Sequence, residues 1–327
     1  MRITALSGGV GGARFLRGLR DVLSPDADEI TVIGNTADDI WLFGLRVCPD
    51  LDTLMYTLGE GIDEERGWGR RDETWNAKQE LAAYGVEPTW FGLGDRDLAT
   101  HVVRTQMLNA QYSLSDVTAA LCQRWRPGVR LLPMTDDRVE THVVIHDDEA
   151  PGGRRAVHFQ EYWVRLQAPA ALDVVAVGAE DSKPAPGVLD AIAAADLVVL
   201  PPSNPVVSIG TILSVPGIAA AVRATPAAVV GVSPIVGGAP VRGMADRLLP
   251  VIGVDISSRA VGAHYGARSR GGLIDAWLVD EAEPEAALSL SRRGLPCRAV
   301  PLLMSDHEAT RAMAREVLSA IDWSSRR

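Results

Sequence analysis

The stretch Ser7-Gly8-Gly9-Val10-Gly11-Gly12 places four glycines in five positions, between a short apolar run and a helical pattern. Glycine admits positive φ and lets backbone N–H groups approach an anion, and a helix N-terminus adds partial positive charge, so the ligand this loop suits is a phosphate. A plain strand-to-helix turn needs only one or two glycines. Arg14 follows in the first helical turns and has two readings, a bidentate donor to the same phosphate or a solvated helix arginine. Two common phosphate loops are excluded by spacing. Counted from Gly9 and Gly11, the third glycine of a dinucleotide fingerprint falls on Arg14, and no Gly-Lys-Ser/Thr follows.

Carboxylates collect at three other places. Asn35-Thr36-Ala37-Asp38-Asp39 ends a second apolar run, and its two adjacent acids suit magnesium or ligand hydroxyls, with an N-cap and first-turn acid as the alternative. Asp50 and Asp52 flank one residue ahead of another helical pattern. On a turn they point apart, one to a metal and one to substrate; on a first helical turn both cap backbone N–H groups. In Gly94-Asp95-Arg96-Asp97 the charges either cap and pair or present a carboxylate and a guanidinium to substrate. His101, inside the next helical pattern, reads as a satisfied histidine.

These residues need elements to hold them. The runs at 3–6 and 29–34 read as strands around a helix that places Phe15, Leu16 and Leu19 on one face, a βαβ unit. Parallel-strand patterns return at 196–200, 228–232, 275–280 and 299–304, with a closing helix over 306–321. The loops after the first two of these, Pro201–Gly210 and Ser233–Pro240, bring Ser203, Asn204 and Ser208 to the ends of strands, where open α/β sheets bind ligands. Gly61–Thr74 is rich in charge and glycine, holds Trp68 and is followed by Trp75, and reads as a surface excursion or small lid. Leu131–Thr141 opens a more antiparallel stretch, with paired strands at 141–145 and 156–164 around the turn-rich Asp147–Arg155. The expected fold is α/β, a Rossmann-like, doubly wound, mostly parallel sheet over 1–135 and 170–327, with a smaller inserted α+β subdomain at 136–169.

Composition sets the boundaries. With 327 residues, 47% hydrophobic and 23% charged, the chain carries one large or two modest cores. A formal net charge of −10 disfavours nucleic acid and anionic membrane as partners, because a phosphate backbone meets repulsion. No apolar run reaches membrane-span length and no signal-peptide pattern is visible, which makes the cytoplasm the expected location. Cys48, Cys122 and Cys297 lack metal spacing and read as reduced, packed thiols.

Taken as an ordered set, Ser7–Gly12, Asn35–Asp39, Pro49-Asp50-Leu51-Asp52-Thr53, Leu93–Asp97, Pro202-Ser203-Asn204-Pro205 with Ser208-Ile209-Gly210, and Ser233-Pro234-Ile235 resemble the 2-phospholactate transferase family of coenzyme F420 biosynthesis, nearly end to end. The actinobacterial members, to which the chain is most similar, are phosphoenolpyruvate transferases. The resemblance implies a guanosine diphosphate donor carrying enolpyruvate or lactate, an acceptor hydroxyl on the ribityl chain of the deazaflavin Fo, GMP as leaving group, magnesium, and a homodimer. It implies a nucleotide site of Ser7, Gly8, Gly9, Gly11, Gly12, Arg14, Asn35, Asp38, Ser203, Asn204 and Ser208. The Fo site it implies is Asp52, Gly92, Asp95 and Arg96, with Asp39 and Asp50 on the metal and Asp50 and Asp52 as the catalytic pair. Gly92 stands where some relatives have lysine. Such a transfer needs in-line placement, charge neutralisation and a carboxylate to accept the hydroxyl proton rather than a covalent nucleophile, and no activated Ser-His or Cys-His pair is visible. A UDP-sugar-binding regulator, with a similar glycine loop but without the Asp50–Asp52 and Gly94–Asp97 stretches, is the rival reading. An NAD-linked oxidoreductase lacks its third glycine.

Overall fold

Seven short, mostly apolar runs pair side by side, all in parallel, in a computed structural model that describes residues 1–320. They are β1 (Arg2–Ser7), β2 (Glu29–Gly34), β3 (Arg130–Pro133), β4 (Leu197–Leu200), β5 (Ala228–Val232), β6 (Ala276–Asp280) and β7 (Cys297–Val300). Their order is β7-β6-β5-β4-β1-β2-β3. The chain winds outward from β1 in one direction and, after β3, resumes at β4 in the other, which makes the gap between β1 and β4 the topological switch point. Register is continuous there, with Ile3 opposite Ile30 on one side and Leu197 on the other.

β4, β5 and β6 are buried at every residue, as strands covered on both faces must be. Alternate side chains feed two cores. Leu6, Ile33, Val198, Leu200, Val229 and Trp277 go to one face, and Ala5, Val32, Val199, Val230 and Leu278 to the other. The second core receives Phe15, Leu16 and Leu19 of α1 (Gly9–Val22), the face expected from their spacing. α2 (Pro49–Leu58) is buried from Asp50 to Leu58, so its acids have no solvent face to occupy. α3 (Asn76–Ala83), α4 (Asp95–Asn109) and α5 (Leu114–Trp125) follow, and a helix at His307–Ser319, capped by Asp306, packs on α1. The expected end of that helix at Ile321 lies outside the described residues. Among those residues no single helix is long and apolar enough to cross a membrane.

Several local expectations differ from the structure. Residues 130–133 are not the start of an antiparallel stretch but the edge strand β3, which pairs with β2 and ends at Pro133, after which Met134 N–H still donates to the Gly34 carbonyl of β2 (2.9 Å). The antiparallel unit has three strands, Glu140–His146 in the centre with Arg154–His158 and Ala171–Val177 beside it. The expected strand at 156–164 stops at His158, and Glu161–Arg165 is a helical turn. β7 begins at Cys297 rather than 299 and ends before Pro301.

The switch point is narrow because of glycine. Gly9 has φ +67°, which turns the chain from β1 into α1, and a Cβ on Gly11 would stand 2.5 Å from the Pro202 carbonyl oxygen in the loop after β4. Gly11→Ala should therefore push α1 and that loop apart and destabilise the protein by about 1–3 kcal/mol, the usual cost of overpacking. Urea denaturation checks this; an unchanged midpoint would contradict the close approach.

Candidate active site

A cavity of about 630 Å³ opens at the C-terminal ends of β1 and β4. Gly8, Gly9, Val10 and Gly11 line it at the start of α1; the Gly9 N–H is engaged by Asp50, and helix geometry leaves those of Val10 and Gly11 to an anion. Ser203 and Asn204 line it from the loop after β4. The Ser203 hydroxyl donates to the Gly8 carbonyl (2.8 Å), tying the two loops together, and Asn204 Oδ1 accepts from Val206 N–H (2.9 Å) and Val207 N–H (3.3 Å) to cap the turn that presents Ser208.

The expected nucleotide residues divide into two layers. Gly8, Gly9, Gly11, Arg14, Asp38, Ser203, Asn204 and Ser208 line the cavity; Ser7, Gly12 and Asn35 are behind it. A Cβ on Gly12 would overlap the Ser7 and Ser203 hydroxyls, so this glycine packs rather than binds. Asn35 is fully buried and holds Asp50: its Nδ2 donates to Asp50 Oδ2 (2.9 Å) and to the Val207 carbonyl (3.1 Å), and its Oδ1 accepts from Ala37 N–H (3.0 Å) and the Thr211 hydroxyl (2.9 Å).

Asp38 and Asp50 both line the cavity beside the glycine loop. Burial, and then the charge of Asp50, push the Asp38 carboxyl well above the usual carboxylate range; burial raises Asp50 to about 6 against the opposing bonds from Asn35 and Gly9. Asp38 Oδ1 is buried without a hydrogen-bond partner. No group of three or more His, Cys, Asp or Glu that could hold a metal occurs among the described residues. Magnesium, however, is commonly held by one or two carboxylates with the remaining positions filled by phosphate oxygens and water, and the unbonded Oδ1 of Asp38, next to Asp50, fits that pattern. Asp39, expected on the metal, points elsewhere: it pairs with Arg46 (3.1 Å) and does not line the cavity. The difference comes from the antiparallel unit. Gln160 Nε2 donates to the Asp38 carbonyl (3.3 Å), and His158 Nε2 is 3.1 Å from the Asp39 carbonyl, fixing which acid faces inward.

Asp52 is one helical step further along α2 and serves a different partner. It lies in the first turn, yet α2 has no side-chain cap; Asp52 Oδ1 is ion-paired with Arg104, which is buried on α4. Arg104 also donates to the Arg46 carbonyl (3.3 Å) and stands 3.1 Å from His101 Nδ1. Since a guanidinium only donates, His101 Nδ1 accepts, and its Nε2 faces Asp97 at 3.4 Å. Tyr56, four residues after Asp52, donates its hydroxyl to Asp97 (2.5 Å). Asp52 Oδ2 remains free of hydrogen bonds, and Asp52, Tyr56, Asp97 and His101 all line the cavity. Phe91, Trp68, Phe159 and Trp163 give the cavity apolar and aromatic lining.

The sequence reading missed Arg104 and treated His101 as inert. The signal was the spacing of Asp97, His101 and Arg104, which puts them on one face of a helix. For Asp95 and Arg96 the capping alternative holds, and the expectation that they meet substrate is corrected. The Asp95 carboxyl, lowered to about 2, accepts from the Thr74 hydroxyl (2.6 Å) and from Asn76 and Ala77 N–H at the start of α3. Arg96 is exposed, 3.9 Å from Asp72, and neither residue lines the cavity. Gly92 does, and a Cβ there would meet Trp75 at 3.3 Å. The three cysteines are free.

Two outcomes follow from this electrostatic arrangement. Asp52→Ala strands the buried Arg104 guanidinium and should cost about 3–5 kcal/mol in urea denaturation, more than loss of a helix cap. Asp38→Asn removes a buried carboxyl whose burial and proximity to Asp50 outweigh its hydrogen bonds, and should raise the melting temperature of the protein in EDTA. A raised folded pKa means the native state holds a proton the unfolded chain has released, so the wild type loses stability as pH rises from about 4 through that pKa. The variant's advantage should accordingly be greatest near pH 8 and shrink as pH falls; an advantage that does not vary with pH would refute the assignment.

The sequence matches known proteins over nearly its whole length. The family model described as 2-phospho-L-lactate transferase CofD matches residues 3–320. A Kitasatospora aureofaciens protein named phosphoenolpyruvate transferase is 65% identical over 320 residues, covering 98% of this chain and 97% of that one. A Streptomyces coelicolor protein of the same name is 64% identical over 320 residues, covering 98% of each. Among solved structures, a Bacillus halodurans protein of the upf0052 family superposes with a TM-score of 0.62 at 17% identity, over 97% of this chain and 98% of that chain, which speaks for the fold alone. With its sequence matched from end to end, its parallel sheet and its cavity at the switch point, the chain belongs to the CofD family of 2-phospho-L-lactate transferases.

Proposed function

We propose that the protein transfers the phosphoenolpyruvate group of enolpyruvoyl-diphospho-guanosine to the ribityl hydroxyl of Fo, giving dehydro coenzyme F420-0 and GMP. The observation that carries this reading is the meeting, in one aromatic-lined cavity, of the glycine-rich start of α1, Asp38 and Asp50, and an Asp52 oxygen that takes no hydrogen bond among the described residues. The name shared by relatives at 64–65% identity supports enolpyruvate over lactate as the transferred acid.

In this reading the donor's diphosphate lies on the amides of α1 and the Fo ring lies against the aromatic lining. Asp38 and Asp50 hold magnesium, which when bound neutralises the charge of the phosphates between which the bond breaks. The ribityl oxygen forms its bond to the phosphorus bearing the enolpyruvyl group as the bond from that phosphorus to GMP breaks. Asp52 Oδ2 accepts the hydroxyl proton, and Arg104, fixed by His101 and the Arg46 carbonyl, keeps the carboxylate oriented. The three free thiols support a reducing compartment such as the cytoplasm. The outward Leu172, Val175 and Val177 on the edge strand Ala171–Val177 support pairing of two copies.

Purified protein with Fo, magnesium and the enolpyruvyl donor should release GMP and give a deazaflavin heavier by the transferred group, and EDTA should stop the reaction. No product with either the enolpyruvyl or the lactyl donor would sink the proposal. Asp52→Asn, taken on protein shown to be folded by near-UV circular dichroism, should lower kcat by about a hundredfold or more while GDP still binds, the range for a missing proton acceptor.

A further inference from the structure

The cavity's charges are sorted by element. Its acids come from the Asn35–Asp39 loop, α2 and α4, as Asp38, Asp50, Asp52 and Asp97; its arginines are Arg14 on α1, Arg66 in the Gly61–Thr74 excursion, and Arg242 in the loop beyond β5. Arg66 is already engaged. It pairs with Asp63 (2.8 Å), donates to the Arg70 carbonyl (3.0 Å), and its guanidinium lies 5.4 Å from the Trp68 ring and 5.3 Å from the Trp75 ring.

Arg14 and Arg242 are not engaged in this way. Among the described residues neither makes an ion pair, and the hydrogen bond of Arg14 goes to the Glu64 carbonyl (3.2 Å). The two stand close enough to repel: burial first, and then the charge of Arg242, lower the pKa of Arg14. Arg242 is held over the first turn of α1 by the close passage of the excursion, since a Cβ on Gly67 would strike its guanidinium and lie 3.1 Å from Val10 Cγ1; φ +76° at Gly67 is what lets the chain pass there. The nearest acid acting on Arg14, Glu64, is ion-paired with Arg17, so two like charges kept together at the cavity wall, neither in an ion pair of its own among the described residues, are a site for an anion.

We propose that Arg14 and Arg242 form the subsite for the carboxylate of the transferred three-carbon acid, and so select a donor that carries this carboxylate over a bare nucleoside diphosphate. The inference rests on the transferase reading above. The donor's phosphates have amides and a metal site at the start of α1, whereas its carboxylate gains nothing from Asp38 and Asp50, which no arginine pairs among the described residues, and needs cations of its own. A planar guanidinium pair matches a planar carboxylate through parallel N–H donors, which a lysine does not reproduce.

Calorimetry with GDP and with enolpyruvoyl-diphospho-guanosine, on the wild type, Arg14→Gln, Arg242→Gln and Arg242→Lys, tests the proposal. The glutamine variants should lose roughly tenfold or more in affinity for the donor, as expected for a lost charge-assisted hydrogen bond, while GDP binds as before, which also reports that they are folded. Arg242→Lys should recover only part of the loss. Equal losses for GDP and donor would assign the arginines to phosphate and overturn the proposal; unchanged affinity for both would overturn it too. GMP release by the wild type with Fo is read separately. If the wild type turns over and the glutamine variants keep its preference for donor over GDP, only the arginine subsite fails; if the wild type releases no GMP, the transferase reading fails.

Discussion

Four aspartates, Asp38, Asp39, Asp50 and Asp52, are each less than a tenth exposed at one end of a parallel sheet, and the arrangement around them follows from what compensates each charge. An ionised carboxylate out of water is unfavourable unless it is paired or hydrogen-bonded. Arg46, from the hairpin formed by Ile40–Leu42 and Leu45–Val47, pairs with Asp39, and Arg104 from α4 pairs with Asp52. Among the described residues no arginine ion pair reaches Asp38 or Asp50; both line the cavity, and Asp50 lies against Gly8. The protein has therefore neutralised one pair of acids internally and left the other to be neutralised by what binds.

That division also decides how an anion is received. The start of α1 suits phosphate through the N–H groups beyond Gly9, but Asp50 lies against the same loop, close enough that a Cβ on Gly8 would overlap its carboxylate. Under the proposed function a phosphate arriving alone would meet repulsion, and one arriving with a divalent cation would meet two ligands for it, acids and amides together standing where a simple P-loop would put a lysine.

Function is obtained here at a cost in stability, as is common where binding groups are desolvated in advance. α2 illustrates it: a helix buried along its length carries Asp50 and Asp52 in its first turn without using either as a cap. The cost is contained because Asn35, Arg104, His101 and Tyr56 are themselves held by backbone carbonyls or other side chains, so each carboxylate keeps one orientation. A network of this kind rigidifies a site as long as its members are satisfied.

Sequence alone was sufficient for the α/β class, for the strand–glycine loop–helix start, and for the loops that gather at the switch point, because these depend on local rules: apolar runs of strand length, glycine where φ is positive or backbones approach, and ligand loops at strand ends. It also picked out the acids Asp38, Asp50 and Asp52. It misjudged the edge strand β3, four residues long and closed by proline, since so short a run has no periodicity of its own and becomes a strand only when β2 offers it donors and acceptors. Which aspartate faces the cavity was equally beyond it. Asp38 and Asp39 are adjacent and chemically identical, and the choice between them is made by Gln160, His158 and Arg46, contributed by elements up to 122 residues away. The same holds for Asp52, which read as a cap or a ligand until α4 brought Arg104 against it across 52 residues of chain. Local sequence fixes which residues carry charge and which backbone can bend; only the tertiary structure decides which charges are paired, because the desolvation that makes pairing necessary exists only once the chain has closed over them.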